Sequence, residues 1–166
     1  TLNIYNNRMS SIPNNLPPNL TFLGLRGNQI TNLNDAIFHQ RIIIIVLDNN
    51  QISSLNGIHF PNNLQILHID KNHISSLDDV HFPSTLLHLN IDKNYISSLR
   101  GITFPQNLEI LGLCFNQISS LQDVHLPQYL IELNLGSNQI QNLNGIIFPQ
   151  SIELLYLGSN QIHDLN

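Results

Sequence analysis

Cysteine, tryptophan and charged residues are scarce in this sequence. Its 166 residues include one cysteine and no tryptophan, and only 10% of them are charged. One cysteine cannot form the internal disulfide framework of a small secreted scaffold. The net charge of −5, with only 6 lysines and arginines, argues against a protein that binds nucleic acid or an anionic membrane surface.

Long apolar segments are also missing. The longest uninterrupted apolar run covers residues 42–47, far short of the roughly 20 residues that span a bilayer. Leucine and isoleucine nevertheless account for 52 of the 166 residues, which excludes an intrinsically disordered chain. The length predicts a single domain that covers residues 1–166.

An asparagine recurs at a fixed interval along the sequence. Seven asparagines lie 22 residues apart, and an eighth precedes them by 21 residues. They are Asn7, Asn28, Asn50, Asn72, Asn94, Asn116, Asn138 and Asn160. Alignment on these positions gives eight repeats with the pattern L-x-x-L-x-L-x-x-N-x-I-x-x-L-x-x-[IV]-x-F-P-x-x. Such a period is typical of a solenoid, in which each repeat is one structural unit.

The pattern resembles that of the leucine-rich repeat (LRR) family over the whole chain. The closest subclass has 22-residue repeats with asparagine at the turn, and the stretch Leu-Pro-Pro-Asn-Leu at 16–20 is similar to the repeats of bacterial effector proteins. The Phe-Pro pairs, as at 60–61 and 104–105, depart from the common 22-residue pattern. The resemblance implies an α/β-type leucine-rich repeat solenoid, a horseshoe with a parallel β-sheet on its concave side.

The residues themselves predict the same architecture. In Leu67-His68-Ile69 the apolar side chains alternate with a polar one, as in a strand with one buried face. One strand per repeat buries its apolar face only when repeats stack, so we expect a parallel sheet over a continuous core. Pro83 follows Phe82 and disfavours helix there. The convex side is therefore expected to consist of extended, turn or short 3-10 segments, with little α-helix.

The repeated asparagine lies where each strand ends. Its side-chain amide has both donors and an acceptor, which suits it to pair with backbone groups of the turn. We therefore predict that the eight asparagines form a structural ladder and take no part in chemistry. Neither end of the chain carries a polar capping unit. We expect open end strands that either pair with another molecule or continue into a longer protein.

The outward strand positions predict a binding surface, because on a solenoid of this kind they line the concave face. The predicted partner-binding residues are Phe22, Arg26, Ile44, Asp48, Ile66, His68, Asp70, His88, Asn90, Asp92 and Ile110. The apolar members among them form a stripe at equivalent positions of successive repeats. This stripe either contacts a partner or packs over neighbouring repeats.

Three of the predicted residues, Asp48, Asp70 and Asp92, form an acidic column one repeat apart. Strand spacing places them about 5 Å from each other, and like charges so close raise each other's pKa. The column is either solvated, in contact with a basic segment of a partner, or a site for a hard metal such as calcium. Because carboxylates on one flat face do not surround an ion, we predict no metal.

Catalytic chemistry has little support in the sequence. There is no glycine-rich phosphate loop, and neither the histidines nor Cys114 have the spacing of a metal site. We predict no enzymatic activity and no cofactor.

The predicted function is a protein–protein interaction module that binds a protein or peptide on its concave sheet. The alternatives are an assembly segment that self-associates through its ends, and the recognition domain of a larger effector-like protein. The low cysteine content favours a cytoplasmic location, which is a host cytosol if the protein is an effector.

Overall fold

Eight short parallel strands, one per repeat, form a single sheet. The computed structural model of the chain describes residues 1–164. The strands are β1 (Leu2–Asn3), β2 (Phe22–Gly24), β3 (Ile44–Val46), β4 (Ile66–His68), β5 (His88–Asn90), β6 (Ile110–Gly112), β7 (Glu132–Asn134) and β8 (Leu154–Tyr156). They lie in the sheet in chain order. The predicted solenoid with a parallel sheet and little α-helix is confirmed, and no residue in the described range is helical.

The strands pair without any shift between repeats. Leu23 pairs with Ile45, Ile45 pairs with Leu67, and the same step continues along the sheet. The central residue of each strand from β2 to β7 is 0% exposed. Because strands of two or three residues make few hydrogen bonds, the stacking of these apolar side chains is a main source of stability.

Two tight turns shape the convex side of each repeat. In the third repeat they span residues 55–58 and 61–64, with carbonyl-to-amide distances of 3.3 and 3.0 Å. Pro61 is the first residue of the second turn. The turn uses its carbonyl and not its N–H, so proline is tolerated there. The phenylalanine before Pro61 stacks on the equivalent ring of the next repeat, since the ring centroids of Phe60 and Phe82 lie 6.2 Å apart. The described convex segments are therefore turns and extended chain, and the alternative of short 3-10 segments does not occur in them.

Each buried asparagine of the ladder bridges its own turn and the turn of the preceding repeat. The Nδ2 group of Asn94 donates to the carbonyls of Ile91 and Ile69, both at 3.1 Å. Its Oδ1 accepts the backbone N–H of Ile74 at 3.0 Å. Since Ile69 and Ile74 belong to the preceding repeat, one side chain pairs with backbone groups on both sides of the junction. Equivalent bonds recur at Asn28, Asn50, Asn72, Asn116, Asn138 and Asn160.

Asn7 occupies the ladder position of the first repeat without the ladder's buried contacts. Its side chain is exposed, and its Nδ2 donates to the carbonyl of Tyr5 in the same repeat at 3.0 Å. Residues 1–164 contain no earlier repeat that would supply the other partners. The first repeat is one residue shorter than the complete repeats that follow it. As a result, Oδ1 of Asn28 accepts the backbone N–H of Met9, which lies 19 residues earlier. The later asparagines accept the N–H of a residue that lies 20 residues earlier.

The residue before each asparagine of the ladder has a left-handed backbone. Its φ lies between 51° and 70° at Asn6, Gly27, Asn49, Lys71, Lys93, Phe115, Ser137 and Ser159. Only Gly27 is a glycine, and for other residues this conformation costs about 1–2 kcal/mol. The hydrogen bonds of the adjacent asparagine hold the turn in this conformation.

We expect Asn94→Ala to lower the free energy of unfolding by about 1–3 kcal/mol, because it leaves buried backbone groups of two repeats without partners. Asn34→Ala is the matched control, since the exposed Asn34 side chain has no hydrogen bond in the described part of the chain. It should cost under about 0.5 kcal/mol. Urea unfolding followed by circular dichroism measures both. Equal losses would contradict the structural role of the ladder.

Candidate partner-binding surface

The strand register places the predicted surface residues in three columns across the concave face. The first column contains Phe22, Ile44, Ile66, His88, Ile110 and Glu132. The second column contains Gly24, Val46, His68, Asn90, Gly112 and Asn134. The third column, two residues after each strand, contains Arg26, Asp48, Asp70, Asp92 and Cys114. Every predicted partner-binding residue therefore lies in one of these columns.

The apolar members of the first column are half-buried. Phe22, Ile44, Ile66 and Ile110 each keep part of their surface exposed, and His88 separates the last two. Neighbouring strands lie about 4.8 Å apart, so Ile44 lies next to both Phe22 and Ile66 along the column. Part of the apolar surface thus packs between repeats, and the remainder is accessible to a partner.

The acidic column is built into the sheet. Asp48 is only 8% exposed, and its Oδ1 accepts the backbone N–H of Asp70 at 3.2 Å. Oδ1 of Asp92 accepts the backbone N–H of Cys114 at 2.6 Å. Each of these two carboxylates therefore binds the repeat that follows it. These two carboxylates are therefore not freely solvated, which was one of the alternatives for the acidic column.

Asp70 lies between these two aspartates and is the least satisfied of the three. Its Oδ1 is buried and has no hydrogen-bond partner in the described residues. Burial, then the charge and hydrogen bonding of Asp48, and then the charge of Asp92 raise the pKa of Asp70 from 3.8 to about 7. The charges of Asp48 and Asp92 contribute to this rise in the direction expected of a column of like charges, but burial contributes more. Near neutral pH, Asp70 therefore exists in both the protonated and the charged form.

The other predicted residues flank these columns. Arg26 is exposed at one end of the acidic column, and His68 is half-buried in the strand that precedes Asp70. Asn90 is partly committed to the fold, because its Oδ1 accepts the backbone N–H of Asp92 at 3.1 Å. Asn90 is thus less free to contact a partner than its place in the column suggests.

A small pocket on this face is absent from the prediction made from sequence. Its volume is about 150 Å³. Its polar and glycine lining residues are His68, His88, Asn90, Asp92, Gly112, Glu132 and Asn134. Gly112, Glu132 and Asn134 were not predicted as site residues. The sequence signal that points to the pocket is a glycine in the second column between two asparagines.

Larger open grooves lie on the convex side, for which no binding role was predicted. Two of them have volumes of about 690 and 660 Å³ and share His81 and Phe82 as lining residues. Gly101 lines the first and Gly57 the second, and both glycines have a left-handed backbone. A Cβ atom at either position would meet no atom within 4 Å.

Cys114 has the single thiol of the chain, and its surroundings do not activate it. Burial and the charge of Asp92 raise its pKa, so the thiol stays protonated and is a weak nucleophile. Within residues 1–164, no group of three or more His, Cys, Asp or Glu side chains is placed to hold a metal ion. The same residues contain no helix that is long and apolar enough to cross a membrane.

Solved structures of leucine-rich repeat proteins superpose on this chain. YopM from Yersinia enterocolitica WA-314 is 25% identical with a TM-score of 0.67, over 98% of this chain and 38% of YopM. A Shigella effector LRR domain is 28% identical with a TM-score of 0.71, over 93% of this chain and 66% of that domain. The LRR domain of FLRT2, solved in an octameric complex with Latrophilin 3 and Unc5D, is 25% identical with a TM-score of 0.71, over 92% of this chain and 49% of that chain.

The fold and the period define the class of protein as a leucine-rich repeat solenoid, and its structural neighbours include effector and interaction-domain structures. The chain has the leucine-rich repeat fold, built from 22-residue repeats. It spans 38% to 66% of the lengths of the three solved chains. No family model matches the sequence, and no curated protein matches it either.

The raised pKa of Asp70 makes stability depend on pH in a defined direction. Since the folded protein holds a proton that the unfolded chain releases above about pH 4, stability is highest on the acid side and falls as pH rises from about 4 to 7. We expect Asp70→Asn to raise the free energy of unfolding at pH 8 by about 1–2 kcal/mol, a value reduced for solvent screening. Near pH 4 the variant and the native chain should be similar.

Urea unfolding between pH 4 and 8 measures this difference. Asp78→Asn is the matched control, because Asp78 is exposed on the convex side, and its effect should be small at every pH. A native chain that is more stable than the Asp70 variant at pH 8 would contradict the assigned environment of Asp70.

Proposed function

We propose that this leucine-rich repeat array is a non-enzymatic interaction module that binds a protein or peptide on its concave sheet. The observation that carries the proposal is the presence of a partly exposed apolar column beside a carboxylate column on one face. The FLRT2 LRR domain in its octameric complex supports an interaction role for the fold. The effector neighbours support the same role within a larger protein.

The two columns contribute in different ways. Phe22, Ile44 and Ile66 offer apolar surface that a partner removes from water, which slows dissociation. Asp70 and Asp92 present negative charge, which favours a partner with a basic segment and speeds association. Asp48 is buried and contributes its charge without direct contact. Because protonation removes the charge of Asp70, affinity for a basic segment should rise as pH increases through 7.

A non-enzymatic role agrees with the protonated state of Cys114 and with neighbours that are interaction domains. We propose no nucleic-acid or membrane partner, because the chain is acidic overall. We also propose no cofactor. A cytoplasmic location, or a host cytosol for an effector, stays a prediction that rests on the low cysteine content.

Selection from a displayed library of random peptides, followed by kinetics on the selected peptide, tests the proposal. We expect enrichment of peptides that combine lysine or arginine with apolar residues. The double variant Asp70→Asn and Asp92→Asn should slow association about 3- to 10-fold at low salt and lose this effect at high salt. Ile66→Ser should speed dissociation, because it removes an apolar contact.

His81→Ala on the convex side is the control and should change neither rate. Circular dichroism verifies that each variant is folded. Loss of binding in the convex variant, with binding kept in the concave variants, would show that the sheet is only a scaffold.

Self-association is a second candidate function. β8 exposes Leu154, Leu155 and Tyr156 at 45%, 37% and 46%, and unpaired strand edges recruit other strands. We expect light scattering at micromolar concentration to detect oligomers, and Leu155→Lys to reduce them. A monomer across a hundredfold concentration range would contradict this role.

A further inference from the structure

The concave pocket between β5 and β7 has a glycine at its base. Gly112 lies between Asn90 and Asn134 in the second column. A Cβ atom on Gly112 would lie 2.6 Å from Oδ1 of Asn90 and 3.0 Å from Oδ1 of Asp92. The backbone of Gly112 is not left-handed, so space and not conformation requires the glycine. Any other residue would displace the Asn90 amide from its bond to the Asp92 N–H.

The lining residues of the pocket include two carboxylates and no lysine or arginine. Asp92 follows β5 and Glu132 begins β7, so they line the pocket from opposite sides of β6. Burial most strongly, and also the charge of Glu132, raise the pKa of Asp92, while the N–H of Cys114 and the charge of Lys93 lower it. The two negative charges therefore oppose each other with no counter-ion among the lining residues.

The size of the pocket suits one side chain. Its volume of about 150 Å³ is well below the roughly 300–1,000 Å³ of sites for small molecules. Ile110 also lines it and is half-buried, and it provides apolar surface for the methylene stem of a long cationic residue.

Arginine fits this pocket better than lysine. A guanidinium holds five donors in one plane, so it bonds two carboxylates on different walls at once. An ammonium is a compact and strongly hydrated charge, and it loses more solvation when it enters a small pocket.

We propose that this pocket binds a single arginine side chain of the partner, with the guanidinium between Asp92 and Glu132 and the stem against Ile110. The proposal rests on the proposed function and assigns the basic segment of the partner to one place on the sheet. His68 and His88 line the same pocket, and Glu109 lies 3.8 Å from His88.

An NMR titration of the 15N-labelled chain with N-acetylarginine amide tests the proposal. We expect saturable shift changes at the backbone amide of Gly112 and at the side-chain amide of Asn90. N-acetylcitrulline amide has nearly the same shape without the charge, and it should bind at least 10-fold more weakly.

Two variants and one control separate the pocket from the rest of the sheet. Gly112→Ala should weaken arginine binding at least 10-fold, because the methyl group displaces Asn90. Glu132→Gln keeps the size of the wall and removes one charge, and it should weaken binding about 3- to 10-fold even if Gly112→Ala disturbs the fold. Gly158→Ala is the control, since its Cβ would meet no atom within 4 Å and it lies outside the pocket.

Equal affinity for the arginine and citrulline probes would overturn the proposal, and so would unchanged affinity in Glu132→Gln. Shift changes confined to residues outside the pocket would also overturn it. If selected basic peptides bind the concave face while the arginine probe does not bind the pocket, only this assignment fails. If neither binds, the proposed function fails with it.

Discussion

An asparagine side chain joins each repeat to the one before it, and the sheet depends on that junction. The chain turns sharply after every short strand, at a residue with a left-handed backbone. The turn leaves carbonyl and amide groups next to an apolar core, where an unpaired group costs about 1–3 kcal/mol. Asn94 pairs with such groups from two repeats at once. An aspartate of the same length lacks the donors, which explains why the position holds an amide.

On the concave surface, aspartate side chains also join one repeat to the next through hydrogen bonds with the backbone. Asp48 and Asp92 each accept a backbone N–H from the following repeat, so the acidic residues of the candidate site are also part of the scaffold. Their positions are fixed before any partner arrives, which lowers the entropy that binding costs. Asp70 is the exception, because its buried Oδ1 has no partner in the described residues. Burial and its acidic neighbours raise the pKa of Asp70 to about 7, so the charge of this residue changes near neutral pH.

The 22-residue period was sufficient to predict the strands, the parallel register and the three columns, because like positions of successive repeats stack without a shift. It did not distinguish Asn7 from Asn94, since spacing alone does not show whether a repeat lies on the other side. The burial of Asp48 and the bond from Cys114 to Asp92 depend on how adjacent repeats fit together. The pocket was missed for the same reason, because side chains from neighbouring repeats meet above a glycine whose role is to leave space.

The ladder of asparagines also has a direction. Asn94 bonds to the N–H of Ile74 and the carbonyl of Ile69, both earlier in the chain, and the other buried members follow the same rule. A ribosome releases the repeats in this order, so each newly made repeat completes the backbone pairing of its predecessor. Folding can thus follow synthesis one repeat at a time. At any moment only the most recent turn waits for its partner, and the growing end exposes the apolar edge of a single repeat.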